Sequence, residues 1–140
     1  MPVIYRSMLI EEKKPKIGST AITLGVRVPP DKHADIPVES DGTVLPNTGG
    51  MSVAPTWRSL PIFRISKRLR DKIEGAAGSR EAFCWRTGNG PFLAGTIAPG
   101  LVLNPDGATH GTVQPDTPMP LTDYQSNLAA TRDQWIIDED

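Results

Sequence analysis

Three places in this sequence carry polar chemistry that their neighbours do not explain. Arg6 lies in Val3-Ile4-Tyr5-Arg6-Ser7-Met8-Leu9-Ile10, a run of β-formers that reads as a strand. Strand alternation puts Arg6 on one face with Ile4, Met8 and Ile10. A guanidinium among apolar neighbours needs a carboxylate, another anion or water. It either reaches solvent from an edge strand or stands in a cleft to meet an anion. The second place is Asp41-Gly42-Thr43-Val44-Leu45-Pro46-Asn47-Thr48-Gly49-Gly50-Met51-Ser52-Val53. Asp41-Gly42 suits a tight turn, and Asn47-Thr48 can bond their own backbone. Gly49-Gly50 leaves bare backbone that a ligand or another strand can approach, and Ser52 adds a hydroxyl. The stretch is either a long turn or a cradle for a polar or anionic ligand. The third is His110, at the head of His110-Gly111-Thr112-Val113-Gln114, where a strand follows a turn. It either bonds the backbone at the surface or faces a cleft. Periodicity alone does not bring the three together.

Other chemistries are missing. No Gly-Lys-Ser/Thr follows the glycines, so they are not a P-loop, and no Rossmann turn or Gly-x-Ser-x-Gly elbow occurs. No metal site is expected, since no His/Glu helix motif or Cys/His cluster occurs. Cys84 is the one cysteine, which leaves no disulfide partner. It reads as a small buried apolar residue. His33, among charges, reads as a surface residue.

The net charge of −1 gives no field for holding nucleic acid, so a nucleic-acid partner is not expected. No apolar run approaches a membrane span, and Glu11 to Lys14 interrupt the start of the chain, where a signal peptide would need an apolar stretch. The expected location is cytoplasmic. With 13 Gly and 14 Pro in 140 residues, the chain should be one domain, 1–140, of short elements and many turns.

The elements that must position the polar groups are therefore mostly strands. After the first strand, Glu11 to Lys16 reads as a charged loop. Ile22 to Val28 is a second β-like run, ended by Pro29-Pro30. Trp57 should pin an extended segment to the body. Arg64 to Lys72 carries Arg64, Lys67, Arg68, Arg70 and Lys72, with Ile65, Leu69 and Ile73 at helical spacing and Ser66 as an N-cap. This predicts a short amphipathic helix with a basic face. Glu81–Arg86, Phe92–Ala98 and Leu101–Leu103 read as strands, with a turn at Asn104 to Gly107. The last element is a helix. Thr122 and Gln125 have capping-box spacing, and Tyr124, Leu128, Thr131 and Trp135 share one face, which should pack on a sheet. Asp138-Glu139-Asp140 reads as a frayed tail. The fold class is α+β, with small, mostly antiparallel sheets and a few helices.

Several of these pieces occur together in an order that resembles a known family. They are Tyr5-Arg6, Leu24-Gly25-Val26-Arg27, Pro46-Asn47-Thr48-Gly49-Gly50-Met51-Ser52-Val53, and Pro118-Met119-Pro120 leading to Tyr124-Gln125, Leu128, Ala130-Thr131 and Trp135. The sequence resembles small bacterial toxins of type VI secretion with an ADP-ribosyltransferase-like fold. The resemblance implies small sheets and helices around an NAD-sized cleft, action in another cell's cytoplasm, and a cognate immunity protein that blocks the cleft. It implies a cofactor site of Tyr5, Arg6, Thr48, Gly49, Gly50 and Ser52, and the expected catalytic set is Arg6 and Ser52 from that match together with His110, read from the residues as a polar anchor of the same cleft. Two departures stand out. Met51 occupies a position often held by threonine, and no C-terminal glutamate matches the one many ADP-ribosyltransferases use. The other function consistent with the sequence is a non-catalytic interaction module that works through the basic segment 64–72.

Overall fold

The first strand, β1 (Ile4–Glu11), is the centre of the molecule. The structure is a computed structural model that describes residues 1–140. β1 pairs antiparallel with β5 (Ala82–Thr87), with Ile4 opposite Thr87 and Leu9 opposite Ala82. At its far end it turns through Glu12 and Lys13, both at positive φ, into β2 (Lys14–Pro15). The expected charged loop is thus a tight hairpin. On the other side of β5 lies β10 (Ile136–Ile137). The first sheet therefore runs β10-β5-β1-β2.

The second sheet has the order β4-β8-β7-β6. Its strands are β4 (Met51–Val53), β6 (Gly95–Ala98), β7 (Leu101–Pro105) and β8 (Gly111–Pro115), all antiparallel. A two-stranded ribbon pairs β3 (Thr43–Val44) with β9 (Met119–Pro120). The two larger sheets meet at one residue pair. Tyr5 N–H donates to the Ala54 carbonyl at 2.8 Å, and Ala54 N–H returns a bond to the Tyr5 carbonyl at 2.9 Å. The main core lies between the sheets and the helix and includes Ile4, Met8, Met51, Trp85, Leu103, Tyr124 and Trp135. A smaller core of Ala54, Trp57, Leu60, Ile65, Leu69, Ala76 and Cys84 lies on the other face of β1 and β5.

Helix α1 (Leu121–Ala129) is followed by a 3-10 turn at Arg132–Gln134. Tyr124, Leu128, Thr131 and Trp135 are all buried, as their spacing requires. The capping box does not form. Pro120 is the N-cap, with no side-chain cap bond. The Gln125 amide instead pairs with Val26, accepting from its N–H and donating to its carbonyl, both at 3.2 Å.

Three other expectations are corrected. Ile22 to Val28 forms no strand, and Leu24 alone is bridged, to Ile17. Several of its peptide groups are taken by side chains, the Thr23 and Gly25 carbonyls by Arg6 and Val26 by Gln125, and others by scattered backbone partners such as Leu9, Lys16 and Gly18. The basic segment forms one 3-10 turn, Lys67–Leu69, with Ser66 capping it by accepting from Arg68 N–H. It goes no further because the chain folds back on itself, with Lys67 N–H on the Gly78 carbonyl and Gly78 N–H on the Ile65 carbonyl. The acidic tail is not frayed. Asp138 Oδ2 accepts from Tyr5 Oη at 2.8 Å and Arg86 Nε at 2.9 Å, and Glu139 pairs with Arg68 at 3.0 Å. Trp57 Nε1 donates to the Asp140 carbonyl at 2.8 Å.

Candidate functional site

Where the two sheets meet, Ser52, Val53 and Ala54 lie beside Arg6 and Ser7, and a cleft of about 320 Å³ opens there. Its other walls come from Arg27 and Asp35, from the segment Ser59 to Arg64, and from Thr109 and His110 at the tip of the β7–β8 hairpin. The volume lies at the low end of the range for small-molecule sites, about 300–1,000 Å³.

Arg6 is 5% exposed. Its guanidinium bonds backbone carbonyls only: Thr23 from Nε at 3.1 Å and Nη2 at 2.9 Å, Ser52 from Nη1 at 2.9 Å, and more loosely Thr20 and Gly25. No carboxylate pairs with it. Burial pushes its pKa down to about 10, against the opposing pull of Asp35. A buried cation with dipoles but no counter-ion favours an incoming anion.

Arg27 and Asp35 form a two-pronged ion pair, Nη2 to Oδ1 at 2.9 Å and Nε to Oδ2 at 3.2 Å. Asp35 Oδ2 also accepts from Arg27 N–H at 2.7 Å. The hydrogen bond to Asp35 raises the Arg27 pKa. Asp35 is the one carboxylate on the cleft wall, and Arg27 occupies both of its oxygens. Arg64 has no ion pair. Its guanidinium lies over the Phe63 ring, 4.9 Å from the centroid. Burial and then the charge of Arg27 lower its pKa. Phe63 itself is 59% exposed. The cleft therefore holds two cations without carboxylate partners, Arg6 and Arg64, next to an open aromatic face. Ser7 adds an orphan: its Oγ is buried and has no hydrogen-bond partner.

Arg6, Ser52 and His110 border this one cleft. Tyr5, Thr48, Gly49 and Gly50 do not. The Tyr5 hydroxyl is held by Asp138, and burial with that bond pushes its pKa up to about 12. Thr48 Oγ1 donates to the Leu45 carbonyl at 2.7 Å. The two glycines are closed to a ligand because the protein's own backbone fills the space. A Cβ on Gly49, at φ +144°, would lie 2.3 Å from the Asp35 carbonyl oxygen, and one on Gly50 2.3 Å from that of Val113. Gly50 N–H already donates to the Asp35 carbonyl. Beside it, the Tyr124 hydroxyl accepts from Met51 N–H and donates to the Val113 carbonyl. The glycine-serine motif thus sets the start of β4 against β8 and the helix. Of the motif's polar residues only Ser52 reaches the cleft.

The sequence reading missed Ser7, the Arg27–Asp35 pair and the Phe63–Arg64 rim. In sequence Arg64 belongs to the basic segment. Three other cations of that segment also bond within the fold: Arg68 bonds the Arg80 and Ala82 carbonyls and Glu139, Arg70 the Ala76 carbonyl, and Lys72 the Glu139 carbonyl. Lys67, Arg68, Arg70 and Lys72 all remain exposed, so the segment keeps a basic surface. No group of three or more His, Cys, Asp or Glu is placed to hold a metal ion.

Comparison with known proteins identifies the family. No curated protein matches the chain. A family model described as Tse2 ADP-ribosyltransferase toxin matches residues 5–135. The match runs from Tyr5, next to the cleft arginine, to Trp135, the last residue of the helical face. It covers well over half of the sequence, and the chain therefore belongs to the Tse2 ADP-ribosyltransferase toxin family.

Proposed function

We propose that this chain is a toxin that takes NAD into the cleft between its two sheets and transfers the ADP-ribose moiety. ADP-ribosyltransferases as a class draw on NAD, and the cleft's donor set suits that molecule. The observation that carries the reading is Arg6, a buried guanidinium with carbonyl partners only. Arg6 and Arg64 supply positive charge for the pyrophosphate. Phe63 offers a ring face for a planar base. Ser52 lines the cleft beside Arg6 and offers a hydroxyl for the ribose.

In the transfer, the bond between C1′ of the nicotinamide ribose and the nicotinamide nitrogen breaks, and nicotinamide leaves with that electron pair. The acceptor's lone pair bonds C1′ and the acceptor loses a proton. The chain's residues orient the dinucleotide and offset its charge in a partly dry cleft. Action in a recipient cell's cytoplasm and neutralisation by a cognate immunity protein that covers the cleft belong to the same proposal. No helix is long and apolar enough to cross a membrane.

The test is inducible expression in a bacterial cytoplasm, with growth and ADP-ribose labelling of cell protein followed together. Wild type should arrest growth and label protein. Arg64→Glu, which reverses a cleft charge without removing a hydrogen bond, should do neither while keeping the wild-type melting temperature. Arrest and labelling by a folded Arg64→Glu protein would overturn the reading.

A further inference from the structure

The hairpin that closes one end of the cleft carries a second, separate arrangement. Strands β7 and β8 are joined through Asp106 to His110, and Asp106 N–H donates to the His110 carbonyl at 3.0 Å. Across this loop Asp106 Oδ1 lies 2.6 Å from His110 Nδ1. A carboxylate on Nδ1 fixes the ring's orientation and places the proton on that nitrogen. It leaves Nε2 as the acceptor, and Nε2 has no partner within the protein. His110 lines the same cleft as Arg6, Ser7, Ser52 and Arg64.

We propose that His110 Nε2 is the general base of this site, with Asp106 as its positioning residue. The proposal rests on the NAD reading above and adds the group that takes the acceptor's proton. The other charged groups facing the cleft are unsuited to that task. Arg6, Arg27 and Arg64 are cations, and Asp35 is the one carboxylate, with both oxygens engaged by Arg27. The acceptor class is a hydroxyl, with water the simplest case. Its O–H proton passes to His110 Nε2 as the oxygen lone pair bonds C1′. The electron pair of the C1′–N bond leaves with neutral nicotinamide, and Asp106 stabilises the imidazolium that forms. Positioned proton transfer of this kind contributes about 10²–10⁴-fold in rate.

The experiment uses the full chain and NAD, with two readouts: equilibrium binding, and single-turnover nicotinamide release across pH. Wild type should bind NAD and release nicotinamide. His110→Ala should bind NAD within about threefold of wild type, cleave it about 10²-fold or more slowly, and regain part of the rate with added imidazole. Asp106→Asn should also keep its affinity, lose about tenfold or more in rate, and show an altered pH profile. Wild-type cleavage by His110→Ala would overturn the proposal. So would loss of rate in step with loss of affinity, absence of imidazole rescue, or wild-type binding without nicotinamide release. In each of these cases NAD binding by wild type leaves the underlying reading in place. Absence of binding would remove both.

Discussion

Arg6 Nη1 donates to the Ser52 carbonyl at 2.9 Å, so a side chain of one sheet is bonded to the main chain of the other. The same guanidinium gathers the Thr23, Thr20 and Gly25 carbonyls. Arg6 is thus both a cleft wall and a tie across the sheet junction. Hydrogen bonds from a charged donor contribute about 1.5–3 kcal/mol each, and a buried carbonyl left bare costs about 1–3 kcal/mol. Arg6→Ala should lower the urea midpoint by the equivalent of at least about 3 kcal/mol. Arg6→Lys, which keeps one charge and fewer donors, should fall between. An unchanged midpoint for Arg6→Ala would show that these carbonyls are satisfied without it.

Trp135 is 1% exposed, and its Nε1 donates to Thr131 Oγ1 at 2.9 Å. Truncating a buried tryptophan costs about 3–5 kcal/mol. Trp135→Ala should unfold many degrees below wild type in a thermal scan. A melt within a degree or two would mean that the helix end does not hold the core together.

The C-terminal residues give an acid-sensitive tie. The Tyr5 hydroxyl, and then Arg86, hold the Asp138 carboxyl below its ordinary pKa, against the opposing effect of burial. A carboxyl depressed in the folded state adds stability that is complete above its unfolded pKa, about 3.9, and is lost as pH falls through the folded value. Asp138→Asn should therefore be less stable than wild type near neutrality, and the gap should close in thermal melts toward about pH 2. A gap independent of pH would assign the loss to packing and not to charge.

Cys84 is fully buried in the smaller core. Burial, followed by the charge of Glu139, pushes its thiol up to about 12. Thiol reagents act on the thiolate. Native protein should resist a disulfide reagent at mild alkaline pH, with labelling following global unfolding in urea. Rapid labelling of native protein would contradict the burial.

How far the sequence was legible depends on how local each cause is. The first strand and the helical face from Tyr124 to Trp135 were readable because burial periodicity lies within one segment. The capping box failed because the Gln125 amide found Val26, 99 residues away, and no local rule registers that competitor. Gly49-Gly50 was legible as a place of close approach, but not for its occupant. The backbone of Asp35 and Val113 fills it. Arg6 was legible as a charge out of place, and His110 as a residue facing a cleft or the surface. Among the other cleft residues, Arg27, Asp35 and Arg64 come from segments distant from β1 in sequence, and β1 itself meets the second sheet through the Tyr5–Ala54 pairing. Local pattern says nothing of that pairing.

The central claim is that NAD binds at the sheet junction. Titration of NAD into isotopically labelled protein, followed by NMR, tests it residue by residue. The account predicts saturable shifts at the Arg6 and Arg64 side-chain N–H groups and at the Ser7, Ser52 and His110 amides. Shifts centred on the shallow hollow around Arg86, Gly88 and Asn89, or no saturable shifts at all, would contradict it.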